Sequence, residues 1–100
     1  MIRLVLPILI VLALTACSQV AESRVRSALI DAGLSEKDAD CMAGRMVDRL
    51  SIAQLRKLEA LEGEKQSLQD YIDAVARVGD AEALAVTASS AALCTTGIAR

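Results

Sequence analysis

No proline follows Pro7, and Gly33, Gly63 and Gly79 fall between stretches of helical periodicity. Proline removes an amide donor and breaks helices, whereas glycine supplies the left-handed backbone that ends them. A chain punctuated by glycine alone can therefore run as helix from one stop to the next. No run of alternating Val, Ile, Thr and aromatic residues interrupts the chain beyond residue 17, so strand signals are missing.

Five segments follow from this reading. The first, about Glu22 to Ala32, places Val25, Leu29 and Ala32 on one stripe, and Gly33-Leu34 reads as a Schellman stop with its apolar follower. Ser35 precedes acids in the first turn of a second helix, whose face carries Ala39, Met42, Ala43, Met46 and Leu50. Ser51-Ile52-Ala53-Gln54 fits the capping box and opens a third segment with Ile52, Leu55 and Leu58 inward, ending before Gly63. Ser67 starts a fourth with Tyr71, Ile72, Val75 and Val78, stopped by Gly79. Asp80 caps a last helix to about Ile98, with Leu84, Thr87 or Ala88, Ala91, Cys94 and Ile98 as its stripe. Very short turns between the segments imply an antiparallel or orthogonal all-α cluster of four to five short helices.

The core available to such a cluster is thin. Tyr71 is the only aromatic residue, and sixteen alanines follow Cys17. Alanine is the best helix former but buries little area, so this composition favours closely packed helices over a large-residue interior. One hundred residues permit one domain, near the lower limit for a self-sufficient core.

The start of the chain has a different character. Arg3 is followed by an apolar stretch, Leu4 to Ala13, of the length of a signal h-region and too short to span a bilayer comfortably, which takes ~20 residues. Next comes Leu14-Thr15-Ala16-Cys17. This tetrapeptide resembles the lipobox of bacterial lipoproteins, in which a branched apolar residue and two small residues precede an obligatory cysteine. The resemblance implies that residues 1–16 are a signal peptide and that Cys17, as the new amino terminus, carries a diacylglyceryl thioether and an N-acyl chain. Several chains anchor far more firmly than one, at ~0.8 kcal/mol per buried methylene. On the helical pattern, residues 18–21 then form a short tether after the lipidated cysteine, and 22–100 the helical domain. Ser18 resembles the residue found after the cysteine in lipoproteins sorted to the outer membrane, which points to its periplasmic face. The resemblance covers residues 1–17 and implies nothing about the activity of the rest. A signal cut without lipidation and a retained anchor are the alternatives.

With Cys17 assigned to lipid, Cys41 and Cys94 remain as an even pair, expected to form a disulfide in an oxidising compartment. Two buried free thiols are the alternative. The same sulfur, with Met42 and Met46 one turn apart, also forms a set of soft ligands that could select Cu(I); gap-filling methionines and a bonded cysteine explain the same residues without metal.

The remaining chemistry is excluded or bland. The chain has no His, no C-x-x-C and no Ser-x-x-Lys, and Ser89-Ser90 and Thr95-Thr96 read as helix-surface hydroxyls. Acids and bases alternate as on a solvated helix face. Loss of Arg3 with the signal leaves ten basic against thirteen acidic side chains, without the basic stripe of a nucleic-acid binder. The expectation is a non-enzymatic envelope module, without cofactor beyond its lipid, that binds the membrane through Cys17 and an envelope protein through a helix face. Ile52, Leu55, Leu58, Tyr71 and Ile72 are the candidate contact patch, with Tyr71 foremost because an amphipathic ring suits an interface. A small-ligand or copper-binding lipoprotein is the alternative.

Overall fold

Each helix start that the sequence marks is capped in the computed structural model, which describes residues 19–61 and 65–97. The described chain is all helical: α1 (residues 19–31), α2 (Glu36–Arg49), α3 (Ile52–Glu59), α4 (Leu68–Val78) and α5 (Ala81–Thr95). Ser35, Ser51, Ser67 and Asp80 each accept the amide of the residue three positions on, satisfying a donor that the first turn leaves without an intrahelical partner. Gln54 closes the capping box, its Oε1 accepting the Ser51 amide at 2.8 Å.

The stops follow the same logic. Gly33 takes φ 102°, its amide donates to the Ile30 carbonyl and that of Leu34 donates to Leu29, the paired bonds of a Schellman motif. Gly79, at φ 83°, ends α4. Both angles lie where a Cβ costs energy, which is why glycine occupies these turns. Gly63 and Ile98 fall outside the described residues, as do the signal segment, Cys17 and Ser18.

The first domain boundary differs from expectation. Residues 19–21, read as tether, are helical, and Ala21 is buried in the core. Ala21 stands four residues before Val25, so it extends the Val25, Leu29, Ala32 stripe by one turn. An apolar stripe sets the length of a helix more firmly than a cap residue can.

α2 and α5 form the centre. They run antiparallel, because Cys41 near the start of α2 bonds to Cys94 near the end of α5, with 5.7 Å between Cα atoms. Ala39, Met42, Ala43, Met46 and Leu50 of α2 are all buried, as their spacing requires. α5 turns the expected Thr87, Ala91 and Cys94 inward, joined by Ala83 and Ser90, which were not expected there. Ala83, Thr87, Ser90, Ala91 and Cys94 are buried, while Leu84 is only partly so and Ala88 is exposed. Small side chains let two helix backbones approach, and the disulfide fixes which face of α5 does so. Val25 and Leu29 of α1, Leu55 and Leu58 of α3, and Tyr71 and Val75 of α4 complete one core cluster.

Ser90 therefore belongs to the interior, contrary to its reading as a surface hydroxyl, and its Oγ has no hydrogen-bond partner among the described residues. Thr87 solves the same problem by donating to the Ala83 carbonyl at 2.7 Å. An unsatisfied buried hydroxyl costs free energy that a methyl group does not. Ser90→Ala is expected to raise stability by about 1 kcal/mol, helped by the higher helix propensity of alanine, and urea denaturation measures it. A loss of stability would show that the hydroxyl is satisfied after all.

The start of α5 is tied to α3 through Gln54. While its oxygen serves the capping box, its Nε2 donates to Asp80 Oδ2 at 3.3 Å and to Glu82 Oε1 at 3.0 Å. Lys57 stands 3.8 Å from the same Asp80 carboxylate. The Ala83 amide first, then Gln54 and Lys57, hold Asp80 below the usual carboxylate range, against a desolvation that opposes them. A carboxylate with a depressed folded pKa stabilises the fold above its ordinary value of 3.8, and that contribution disappears as the pH falls through the folded value. Asp80→Asn keeps an N-cap acceptor but cannot titrate, so its acid-unfolding curve is expected to be flatter than that of the parent chain.

Candidate functional site

α1 and α3 are bridged at the surface by one exposed ion pair, Arg24 to Glu59 at 3.1 Å. The pair divides the surface between these helices into two clefts. One, of about 330 Å³, is walled by Val20 and Ala21 of α1 and by Ile52, Leu55 and Arg56 of α3. The other, of about 360 Å³, lies between Ala28, Leu58, Leu61 and Tyr71, with Lys65 at its edge. Each is wide enough for one or two side chains or a small molecule, not for a helix.

Four of the five residues expected to form a contact patch thus line these clefts, Ile52 and Leu55 in the first, Leu58 and Tyr71 in the second. Ile72 lines neither and is half-buried. Leu55 and Leu58 are inward as their helical spacing predicts, so it is as a protruding contact patch that the set fails. Leu55, Leu58 and Tyr71 are core residues, Tyr71 only 1% exposed, so they can form walls and floors but cannot protrude into a partner. Ile52, expected inward, is 43% exposed instead. It stands one turn before Leu55 at the very start of an eight-residue helix, where less of the core covers it.

Burial also alters the chemistry of the ring. Removal from water pushes the Tyr71 phenol up to about 12, so it remains a neutral donor through the physiological range. Among the described residues the clefts are bordered by the cations Arg24, Arg56 and Lys65 and by the acid Glu59. Lys65 also donates to the Leu61 carbonyl at 2.8 Å. Sequence reasoning passed over Val20, Arg24, Arg56 and Glu59. Val20 had been placed in the tether, and helical polar residues carry no signal of which cleft they border.

The other candidate chemistry is dispersed or occupied. Cys41 and Cys94 are bonded to each other, and Met42 and Met46 are sealed in the core, so the three sulfurs considered as copper ligands form no open set. Among the described residues no group of three His, Cys, Asp or Glu could hold a metal ion, and no helix is long and apolar enough to cross a membrane. Ser89, Thr95 and Thr96 donate to carbonyls three or four residues back in α5. No protein-family model, curated protein or solved structure matches this chain.

Proposed function

We propose that the chain is a lipoprotein of the bacterial cell envelope, a small helical module held by acyl chains on Cys17 at the periplasmic face of the outer membrane. The single observation that carries this reading is Leu14-Thr15-Ala16-Cys17 at the end of a signal-like segment. The bond between Cys41 and Cys94 supports it, because a structural disulfide belongs to an oxidising compartment and because the pairing leaves Cys17 as the remaining cysteine of the three. The module is non-enzymatic. It acts by bringing a protein partner to the membrane surface, with side-chain-sized clefts beside α1 and α3 to receive anchor residues of that partner.

Intact-mass measurement of protein extracted from membranes tests the anchor. The expected species begins at Cys17, carries a diacylglyceryl group and an amide-linked acyl chain, and lacks two further protons for the disulfide. Cys17→Ala is expected to remain unprocessed or to leave the membrane fraction. A mass corresponding to an unmodified chain that retains Met1 would overturn the reading. Crosslinking in intact envelopes tests the partner: a specific protein captured by the parent chain and lost with Cys17→Ala is expected, and no difference between the two would sink that part.

A further inference from the structure

The cleft bounded by Val20 and Ile52 is the more apolar of the two and is left open by the described residues. Val20, 51% exposed, and Ile52 are two of the three large hydrophobic side chains that the described residues leave exposed, and both line this one cleft. Position relative to the chain start says what covers it. Cys17 precedes Val20 by three residues, a reach of at most about 11 Å even when fully extended. A group fixed to Cys17 is therefore a close neighbour of the Val20 end of α1. A module tethered this briefly cannot stand clear of its bilayer.

Two surfaces meet at that end of α1. On one side Gln19, Glu22, Ser23, Arg26 and Asp40 form a polar hollow in which Arg26 is already neutralised by Asp40 at 3.3 Å. On the other are Val20, Ile52 and Arg56, with the Arg24–Glu59 pair along the cleft and Arg56 in no ion pair among the described residues. Apolar side chains flanked by a free guanidinium match the boundary between acyl chains and phosphate headgroups, whereas a neutralised polar hollow does not.

We propose that the Val20–Ile52 cleft rests on the bilayer that holds the anchor, the two apolar side chains entering the headgroup boundary and Arg56 facing anionic phospholipid. The module then has a fixed orientation: the Val20–Ile52 side faces lipid, and the Leu58–Tyr71 cleft, across the Arg24–Glu59 pair, is left for a protein. This orientation rests on the lipid-anchor reading.

Photocrosslinking of the full chain, processed in its host and reconstituted in vesicles of phosphatidylethanolamine and phosphatidylglycerol, tests it. With p-benzoylphenylalanine in place of Ile52, phospholipid adducts are expected in several-fold higher yield than with the same group in place of Ala88, an exposed residue of α5 that lines neither cleft. Arg56→Glu is expected to lower the yield at position 52. Both probe sites are exposed, and a helical circular dichroism spectrum checks that each variant folds. Equal lipid yields at the two positions, no lipid adduct at 52, or adducts at 52 only to a second copy or another protein would overturn the orientation. The mass of the same sample separates the two failures. An acylated chain without the adduct overturns the orientation alone, and a chain without acyl groups overturns the anchor and the orientation together.

Discussion

Reducing the bond between Cys41 and Cys94 is expected to lower unfolding free energy by about 4 kcal/mol and to move the thermal midpoint down by roughly 20–30 °C. The size follows from chain length. The two cysteines are 53 residues apart, so the bond removes the closure entropy of a loop that runs from within α2 through α3 and α4 to the end of α5 from the denatured ensemble. The effect is large against the whole, because domains of this size hold a total at or below the low end of ~5–15 kcal/mol. It is larger still in consequence here, where the interior face of α5 is built from Ala83, Thr87, Ser90 and Ala91 and contributes little apolar area for α2 to grip. Melting curves with and without reductant measure it, and the double variant Cys41→Ala, Cys94→Ala should match the reduced chain. A shift of only a few degrees would mean that α2 and α5 hold together without the covalent link.

The second large effect lies at Tyr71. Tyr71→Ala is expected to cost about 3–5 kcal/mol, since it empties the largest fully buried side chain from a core with no other ring to spread into the space. Tyr71→Phe keeps the volume and isolates the hydroxyl. The phenol ionises near 10 when unfolded and near 12 when folded, so the folded state holds its proton more tightly. A raised folded pKa gives stability that is complete below pH 10 and disappears between 10 and 12, about 3 kcal/mol over that window. Stability of the parent chain should therefore fall more steeply across this range than that of Tyr71→Phe. With one tyrosine and no tryptophan, the phenolate absorbance band reports a single site, and its midpoint in the folded protein should lie near 12. A midpoint at the ordinary value would show that the ring is wetted through the cleft it helps to line.

Local structure was legible because local chemistry dictates it. Ser35, Ser51, Ser67 and Asp80 cap their own helices within three residues, and Gly33 and Gly79 turn the chain where only a residue without Cβ does so freely. The α2 stripe from Ala39 to Leu50 was equally readable, because its period and its burial coincide. The cysteine pairing followed from counting once Cys17 was set aside. α5 was read in part: Thr87, Ala91 and Cys94 are inward as expected, but its residues are small on nearly every side, so periodicity alone could not choose between Leu84 and Ser90 as an inward position. Tyr71 and Ile52 exchanged roles for a related reason: amphipathic character shows that a side chain can meet an interface, not that it does.

Sequence alone marked the caps of α2 to α5, the stops at Gly33 and Gly79 and the apolar face of α2, since each depends on residues a few positions apart, while the pairing of Cys41 with Cys94 was an expectation that the structure bears out. Tertiary structure decided the rest. It turned Ala83 and Ser90 of α5 inward beside Thr87, Ala91 and Cys94 and left Leu84 half-buried. It joined Gln54 to Asp80 and Glu82 and set Arg24 against Glu59, contacts across 26 to 35 residues that no local pattern encodes. The clefts beside α1 follow from how α1 and α3 pack on the shared core, and a void between elements leaves no trace in the residues of either one.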